Sequence, residues 1–309
     1  MNIKELLTAE EFAAVTRKND WLAARVVATD WLLIAFAFYI AGAYTNPLTI
    51  LFAVILIGSR QLGLGVVVHE TGHRTLFSSA AWNDFAGKWL SGYWVFSEKS
   101  AYMNGHLVHH KTAGTSADPD LVNYRAYPID HDALRRKVTR DLTGQVGWRR
   151  MKSIGRSISK LAMHKRAIRQ YVLRSLGLNL LLFGVLALTG QPWLFAIWVI
   201  AFMTTHMLVV RIRQIAEHAA VPDLYDLDPR KNTRTLYVNA LENLLIAPHG
   251  VNYHLEHHLL ASVPIYRLKE FHEILLKKGF YDGVKFQRGY LDLLRSVTYP
   301  VNQASSQAG

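Results

Sequence analysis

The sequence predicts an all-α integral membrane protein with four transmembrane helices arranged as two hairpins. Four apolar runs are each about long enough to cross a hydrocarbon core of ~30 Å. The two runs of each pair are separated by short turns, 45–47 and 190–192. Turns this short leave room only for a tight reversal of the chain. Each pair of runs is therefore expected to form one hairpin.

The four apolar runs contain few charged residues. The first contains Asp30, the second Arg60, the third Arg174 near its start, and the fourth has no charge. The predicted transmembrane segments are residues 26–44, 48–68, 172–189 and 193–210. No linker or composition change divides the rest, so residues 1–309 are expected to form a single domain.

The distribution of Lys and Arg predicts the orientation in the membrane. Four precede the first run, seventeen lie between residues 69 and 171, and twelve follow residue 210, whereas both turns have none. By the positive-inside rule, the two termini and the long middle segment are cytoplasmic. The net charge of +12 is then explained by basic loops beside anionic lipid. It does not indicate a nucleic-acid partner.

Histidines are concentrated in three short motifs, HETGH, HLVHH and HLEHH. The first motif has the spacing i, i+4 and the other two have i, i+3, i+4, so on a helix each motif directs its imidazoles from one face. Each motif is therefore a candidate metal-binding face. The motif histidines are His69, His73, His106, His109, His110, His254, His257 and His258.

Eight imidazoles are more than one metal ion needs. Imidazole suits iron, zinc, copper and nickel, and one such ion takes about four to six ligands. Two metals are the economical interpretation. HETGH follows the second apolar run without a helix breaker, which places the site at the cytoplasmic surface of the membrane.

Two other kinds of metal protein share part of this pattern. HExxH is also the signature of zinc peptidases, with Glu70 as general base, but a peptidase leaves HLVHH and HLEHH without a role. A metal transporter or sensor would place its ligands along a path through the bilayer. Here the motifs gather at one surface.

Residues outside the three motifs are candidates for the same site. His218 follows the fourth apolar run, level with the first motif, and Glu217 stands beside it. Asp118 lies in a polar turn after the second motif and could orient a ligand histidine. The remaining histidines follow no motif: His131, His164, His206, His249 and His272.

Arg60 is a charge expected inside the membrane. It lies nine residues before His69, roughly 13 Å deeper along a helix. Intramembrane charges are paired or functional. Pairing with Asp30 of the first transmembrane segment is the main interpretation, and substrate positioning is the alternative.

Two segments of the long middle region are expected at the membrane surface. Residues 135–169 contain twelve Lys or Arg, which suits anionic lipid or an acidic electron-transfer protein. A second segment places aromatic residues at helical spacing and predicts an interfacial helix. These aromatic residues are Trp82, Phe85, Trp89, Tyr93 and Phe96.

Together, HETGH, HLVHH, two membrane hairpins and NYHLEHHLLASVPIYRL resemble the membrane-bound fatty acid desaturases, the histidine-box non-haem diiron enzymes. The resemblance runs from the first transmembrane segment to the helix after the third motif. It implies a stem of four transmembrane helices and a cytoplasmic helical cap, residues 69–171 and 211–309, that holds the dimetal site.

The resemblance also implies roles for individual residues. The eight motif histidines and His218 would bind two iron ions, and the diiron centre itself would be the catalyst. Asn252 could hold a metal-bound water. Glu70 points away from the face shared by His69 and His73 and is expected, like Glu217 and Asp118, to contact a ligand rather than the metal.

The implied reaction is an O2-dependent oxidation of a fatty acyl chain or related lipid, with desaturation as the prediction. Hydroxylases, ketolases and oxidative decarboxylases share the scaffold, and the motifs do not separate these outcomes. Electrons must come from another protein such as a ferredoxin, rubredoxin or cytochrome b5. The chain has no cysteine for an iron–sulfur cluster and no His-Pro-Gly-Gly haem motif.

Overall fold

The computed structural model describes residues 3–299, which are mostly helical. Its α-helices, in chain order, are α1 (Ile3–Leu6), α2 (Ala9–Thr16), α3 (Asp20–Ala43), α4 (Pro47–Gly72), α5 (Ala80–Trp89), α6 (Lys99–Thr112), α7 (Leu121–Tyr124), α8 (His131–Leu142), α9 (Gln145–Ser159), α10 (Arg166–Leu188), α11 (Leu194–Met203), α12 (Thr205–His218), α13 (Pro229–Asn232), α14 (Ala240–Leu245), α15 (His254–Leu259), α16 (Leu268–Lys277) and α17 (Gly289–Ser296).

The described chain also contains short 3-10 turns and two-residue strands. The 3-10 turns are Gly92–Val95, Leu161–Met163, Pro248–Gly250 and Ile265–Arg267. The strands pair in parallel, Ile129–Asp130 with Thr298–Tyr299 and Leu236–Tyr237 with Gln287–Arg288. Both pairs connect chain segments that are distant in sequence.

Four helical stretches are long and apolar enough to cross a membrane. They are Ala9–Ala43, Pro47–Gly72, Arg166–Leu188 and Leu194–His218. The four predicted transmembrane segments fall on these stretches. The predicted orientation, with both termini in the cytoplasm, remains a prediction, and residues 1–2 and 300–309 lie outside the described chain.

The reversal between α3 and α4 follows from local sequence signals. Asn46 caps α4 because its side chain accepts hydrogen bonds from the backbone N–H groups of Leu48 and Thr49. The Thr49 hydroxyl bonds back to the Asn46 N–H, which completes a capping box, and Pro47 occupies the first helical position. The three residues between α3 and α4 thus stop one helix and start the next.

Helix α4 is the most buried of the long helices and packs on α3, α11 and α12. Two glycines permit this close approach. A Cβ at Gly58 would lie 2.0 Å from the Thr205 hydroxyl, and one at Gly63 would lie 2.2 Å from an oxygen of Asp30. Any side chain at these two positions would separate the helices.

The fourth apolar run is broken rather than continuous. Helix α11 ends at Met203 and α12 begins at Thr205, with Thr204 at φ −120° and ψ −86°. The Thr205 hydroxyl donates to the Val54 carbonyl of α4 at 2.7 Å. On the other side, a Cβ at Gly147 of α9 would lie 2.2 Å from the Met203 carbonyl oxygen. Contacts with two neighbouring helices accompany the break. A hydropathy profile does not report such contacts.

The aromatic segment after the first motif is helical only in part. Helix α5 ends at Trp89, and Phe96 adopts the left-handed conformation with φ 49°. The Ser91 hydroxyl donates to the Ala86 carbonyl at 2.8 Å, and the Trp94 indole donates to the Trp89 carbonyl. These bonds occupy carbonyls at the helix end, so the single interfacial helix expected through residue 96 is wrong beyond Trp89.

Candidate metal centre

Four helices bring the predicted ligand histidines together. The C-terminal end of α4 provides the first motif, α6 the second, the end of α12 provides His218, and α15 the third. All nine predicted ligands meet in two adjoining groups. In each group, the candidate ligand atoms lie within 4.8 Å of one another.

The first group, called here the five-histidine cluster, joins the end of α4 to α6 and α15. Nε2 of His106 lies 2.9 Å from Nε2 of His73 and 3.0 Å from Nε2 of His110. The His110 atom in turn lies 2.9 Å from Nε2 of His257. The members are His69, His73, His106, His110 and His257.

The second group, called here the four-histidine cluster, joins α6 and α15 to the end of α12. Nε2 of His254 lies 3.1 Å from Nε2 of His218 and 3.1 Å from Nε2 of His258. Nε2 of His109 lies 3.3 Å from Nε2 of His258. The members are His109, His218, His254 and His258.

The i, i+3, i+4 spacing divides each HxxHH motif between the two clusters. On α6, His106 and His110 join the five-histidine cluster and His109 the other. On α15 the division is reversed, with His254 and His258 in the four-histidine cluster. The rings of His110 and His258 stack across the boundary at 4.5 Å. The two clusters are therefore close neighbours built from the same two helices.

Oxygen atoms hold several of these rings by their other nitrogen. Nδ1 of His109 lies 2.9 Å from Oδ1 of Asp118, and Nδ1 of His218 lies 2.9 Å from the carbonyl oxygen of Asn232. A carbonyl oxygen can only accept, so His218 carries its proton on Nδ1. The bare Nε2 then points into the cluster. Such support orients a metal-ligating histidine and raises its basicity.

The two glutamates predicted to contact ligands also lie beside histidine rings. Nδ1 of His69 lies 2.9 Å from Oε1 of Glu70, and Nδ1 of His254 lies 3.4 Å from Oε1 of Glu217. Glu217 is also paired with Arg213 of α12 at 2.5 Å. Sequence reasoning overlooked Arg213, although its i, i+4 spacing to Glu217 is a usual signal for a helical ion pair.

The donor set fits metal ions. Nε2 of His69 is buried and has no hydrogen-bond partner within the described chain. Nε2 of His106, His110 and His254 each faces two other Nε2 atoms, more than one shared proton can satisfy. Converging bare nitrogens repel unless a cation lies between them. Five and four imidazoles match the coordination numbers of imidazole-binding metals.

The electrostatics of the site favour the neutral form of several of its histidines, the form that binds a metal. Burial, and after it the neighbouring histidines, lower the pKa of His110 to about 3. Burial and the adjacent rings also lower the pKa of His254, His257 and His258 well below the usual histidine value. Burial opposes ionisation of Asp118, but hydrogen bonds from His109 and Tyr124 keep its pKa lowered.

A small polar cavity of about 140 Å³ adjoins the four-histidine cluster. His109, His218 and His254 reach its wall, as does His106 of the five-histidine cluster. Its other polar lining residues are Tyr102, Asp120, Asn123, Tyr124, Arg213, Gln214 and Glu217. The predicted metal ligands thus face a space large enough for a few small molecules.

A buried network fixes α15 from the side opposite the clusters. Glu256 accepts hydrogen bonds from the hydroxyls of Thr235 and Tyr281, and its Oε1 lies 2.6 Å from Nδ1 of His272. His272 in turn meets the Tyr237 hydroxyl at 2.8 Å. Sequence reasoning left His272 without a role and overlooked Glu256, because their partners are 16 or more residues apart.

Arg60 and Asn252 lie apart from the cavity that adjoins the four-histidine cluster. Nη1 of Arg60 lies 3.3 Å from Oδ1 of Asp30, as the pairing interpretation expects. Asp30 also accepts from Nε2 of His249 at 2.9 Å. Asn252 donates to the Leu236 carbonyl at 2.8 Å, and its role toward a metal-bound water stays a prediction.

Comparison with known proteins agrees with this geometry. The sequence model of the fatty acid desaturase family matches residues 45–289. The dihydrorhizobitoxine desaturase of Bradyrhizobium elkanii is 26% identical over 294 residues, spanning 89% of this chain and 81% of that protein. The sn-1 oleoyl-lipid 12-desaturase of Arthrospira platensis is 24% identical over 265 residues, 79% of this chain and 71% of the relative.

A relative with a different named reaction also aligns. A beta-carotene ketolase of Paracoccus sp. (strain N81106 / MBIC 01143) is 24% identical over 249 residues, 77% of this chain and 86% of the ketolase. The match of the family model extends from the turn before α4 to the start of α17 and includes all three histidine motifs. The resemblance is therefore confirmed, and the chain belongs to the fatty acid desaturase family.

Proposed function

We propose that this protein is a membrane-bound, O2-dependent diiron oxidoreductase that introduces a double bond into a fatty acyl chain or a related lipid. The convergence of nine imidazoles in two adjoining clusters is the observation that supports it most. Family membership supports the same class of enzyme. Iron bound there would supply the oxidation of an unactivated C–H bond with O2.

The surrounding residues have definable tasks in this proposal. Asp118, Glu217, Glu70 and the Asn232 carbonyl hold ring nitrogens so that each Nε2 faces a metal. The Arg213–Glu217 ion pair borders the polar cavity and holds the Arg213 guanidinium in a fixed position at its wall. Such preorganised charge can stabilise negative charge that develops during the reaction.

Glu70 argues against the zinc peptidase alternative. Its Oε1 meets His69, and its Oε2 accepts from the Thr75 hydroxyl and the Ile265 N–H, both at 3.0 Å. The side chain is buried at 1% exposure. A buried carboxylate whose two oxygens already meet three partners is poorly placed to take a proton from a water, as a general base must.

Oxygen insertion is the second candidate reaction, because ketolases align over 77% of the chain, nearly as much as the 79% of one of the desaturases. Removal of two hydrogens from adjacent carbons gives an alkene, whereas transfer of oxygen gives an alcohol or ketone. We also propose that the site faces the cytoplasm, with the basic segments on that side, and that a separate electron-transfer protein supplies the electrons.

Metal content and oxygen consumption test the proposal directly. Detergent-purified protein is analysed for iron and zinc, and O2 uptake is followed after addition of reductant. We expect about two irons per chain and iron-dependent uptake. The exposed His131 lies outside both clusters, so His131→Ala is the matched control for His254→Ala. One zinc without iron would overturn the proposal.

Lipid analysis separates the candidate reactions. Cells expressing the wild-type protein and cells expressing His254→Ala are compared by mass spectrometry of total lipid. A loss of 2 mass units from an acyl chain identifies desaturation, and a gain of 14 or 16 identifies a ketone or an alcohol. A change that persists in the His254→Ala cells would contradict an origin in this site.

A further inference from the structure

A second and larger cavity lies beside the third histidine motif. It has a volume of about 750 Å³ and lies between α3, α4, α14 and the segments before α15 and α16. Its wall includes Asn252, two residues before His254, and Ile265, whose N–H bonds to Glu70. The cavity therefore adjoins the metal centre without being lined by a metal ligand.

The ionic side chains that line this cavity are all cationic. Arg25, Arg60 and Lys269 reach its wall, whereas no Asp or Glu of the described residues does; Asp30, the partner of Arg60, is not part of the wall. Arg25 is exposed and forms no ion pair within residues 3–299. Lys269 faces Glu273 only at 3.8 Å on an exposed helix surface. The rim thus offers cations whose charge the protein does not neutralise.

The floor of the cavity is a buried polar cluster with an unsatisfied donor. Arg60 is 2% exposed, and its Nε has no hydrogen-bond partner in the described chain. Its other nitrogens bind Asp30, the Ser59 hydroxyl and the Leu244 carbonyl. Asp30 also holds His249, which adopts the left-handed conformation at φ 62°. A buried donor without a protein partner is free to bond a ligand or a water in the cavity.

The surroundings indicate an amphiphilic ligand. Arg25 immediately precedes the first predicted transmembrane segment, residues 26–44, at the end that the sequence predicts to be cytoplasmic. Leu241 and Leu244 of α14 are 63% and 36% exposed, and Leu244 reaches the cavity wall. Apolar side chains around a cationic mouth suit a molecule with an acyl chain and an anionic head group.

We propose that this cavity binds the anionic head group, a carboxylate or a phosphate, of the amphiphile that the enzyme oxidises. Arg25 makes the charge-assisted contact at the rim, and Arg60, held by Asp30, supplies an N–H at the floor. Asn239 and Asn243 add polar atoms to the same wall. The inference rests on the proposed lipid oxidation and names the chemical class of its substrate.

Equilibrium binding to the detergent-purified protein tests this assignment. The probes are radiolabelled hexadecanoate, hexadecyl phosphate and hexadecan-1-ol, which share one alkyl chain. We expect at least one anion to bind about 10-fold more tightly than the alcohol, as for a charge-assisted hydrogen bond. The preferred anion identifies the head group as carboxylate or phosphate.

Two pairs of variants separate the site from general membrane electrostatics. Arg25→Gln should abolish the preference for the anion, whereas Lys18→Gln, at an exposed cation outside the cavity, should preserve it. Ala240→Trp at the cavity wall should weaken the binding of all three probes. Ala24→Trp is its matched control, exposed on α3 beside Arg25 and outside the wall.

Each outcome decides one claim. Equal binding of anions and alcohol, an unchanged preference in Arg25→Gln, or no effect of Ala240→Trp overturns the assignment of the cavity. Iron content and O2 uptake are measured on the same preparations. A normal diiron centre without anion preference overturns this inference alone, and anion preference without iron overturns the proposed function alone.

Discussion

The two histidine clusters contain the same kind of side chain but differ in what supports it. In the four-histidine cluster, Nδ1 of three of the four rings faces an oxygen, provided by Asp118, Asn232 and Glu217. Among the described residues, only Glu70 pairs a carboxylate with a ring of the five-histidine cluster. Local sequence spacing is alike for both clusters, so this difference arises from the tertiary structure.

The clusters also differ in the space beside them. Three members of the four-histidine cluster, but only His106 of the other, reach the polar cavity of about 140 Å³. A metal with five imidazoles is close to saturation, whereas one with four has room for an external ligand. We therefore expect small molecules to bind at the four-histidine cluster, and we expect that cluster to depend more on its supports.

Removal of one ligand from each cluster should give the largest difference. His254→Ala leaves three imidazoles and should reduce bound iron from about two to about one per chain, with at least ~100-fold less O2 uptake. His110→Ala leaves four imidazoles and should retain more of its metal. Metal analysis and an oxygen electrode measure both effects. Equal losses of iron and O2 uptake in the two variants would contradict the proposed difference between the clusters.

Removal of one oxygen support should have the next largest effect. Asp118→Asn weakens the hold on His109 and should lower metal affinity by about 10- to 100-fold. Competition with a chelator measures this affinity. Asp120 is half exposed and 4.0 Å from the same ring nitrogen, so Asp120→Asn is the control. An effect of Asp120→Asn as large as that of Asp118→Asn would contradict the assigned support.

Disruption of the α15 network should affect both clusters together. Glu256 is fully buried, and Glu256→Gln should lower the free energy of unfolding by about 1–3 kcal/mol because buried hydrogen bonds are lost. Iron should fall equally in both clusters, since α15 supplies ligands to each. Thermal unfolding and metal analysis measure these changes, with the exposed Glu273→Gln as control. Loss from one cluster alone would contradict this role.

Acidification should destabilise the metal-free protein through its neutral histidines. The folded-state pKa of His110 is lowered to about 3, so from the unfolded value near 6.5 down to that pH only the unfolded chain binds this proton. Stability therefore falls as pH falls through this window, by about 1.4 kcal/mol per pH unit for one proton. His110→Gln should remove this contribution, so a plot of Tm against pH should be flatter for the variant than for the wild type. An unchanged slope would contradict the neutral, buried state of His110.

Much of the candidate site was predictable because helical periodicity is local. The i, i+3, i+4 spacing directs imidazoles from one helix face whatever the helix packs against. The four apolar stretches were predictable for a similar reason, since their length and composition are properties of short segments. His218 and Asp118 were found from their positions beside a helix end and a motif, and both lie at the clusters.

Other parts of the site depend on residues that are distant in sequence. Glu256 meets His272 and Tyr281, and His218 meets the Asn232 carbonyl, across separations of 14 to 25 residues. The break at Thr204 likewise accompanies contacts with α4 and α9. No local pattern reports such contacts, so sequence reasoning treated His272 as unassigned and the fourth apolar run as continuous.

The sequence by itself determined the class of the protein, the number of apolar helices and the candidate metal-binding faces. Only the tertiary structure decided which imidazole joins which cluster, which rings are held by carboxylates, and where the larger cationic cavity lies. The physical reason is the same in each case. A helix determines the directions of its own side chains, but the crossing of α4, α6, α12 and α15 determines which directions meet.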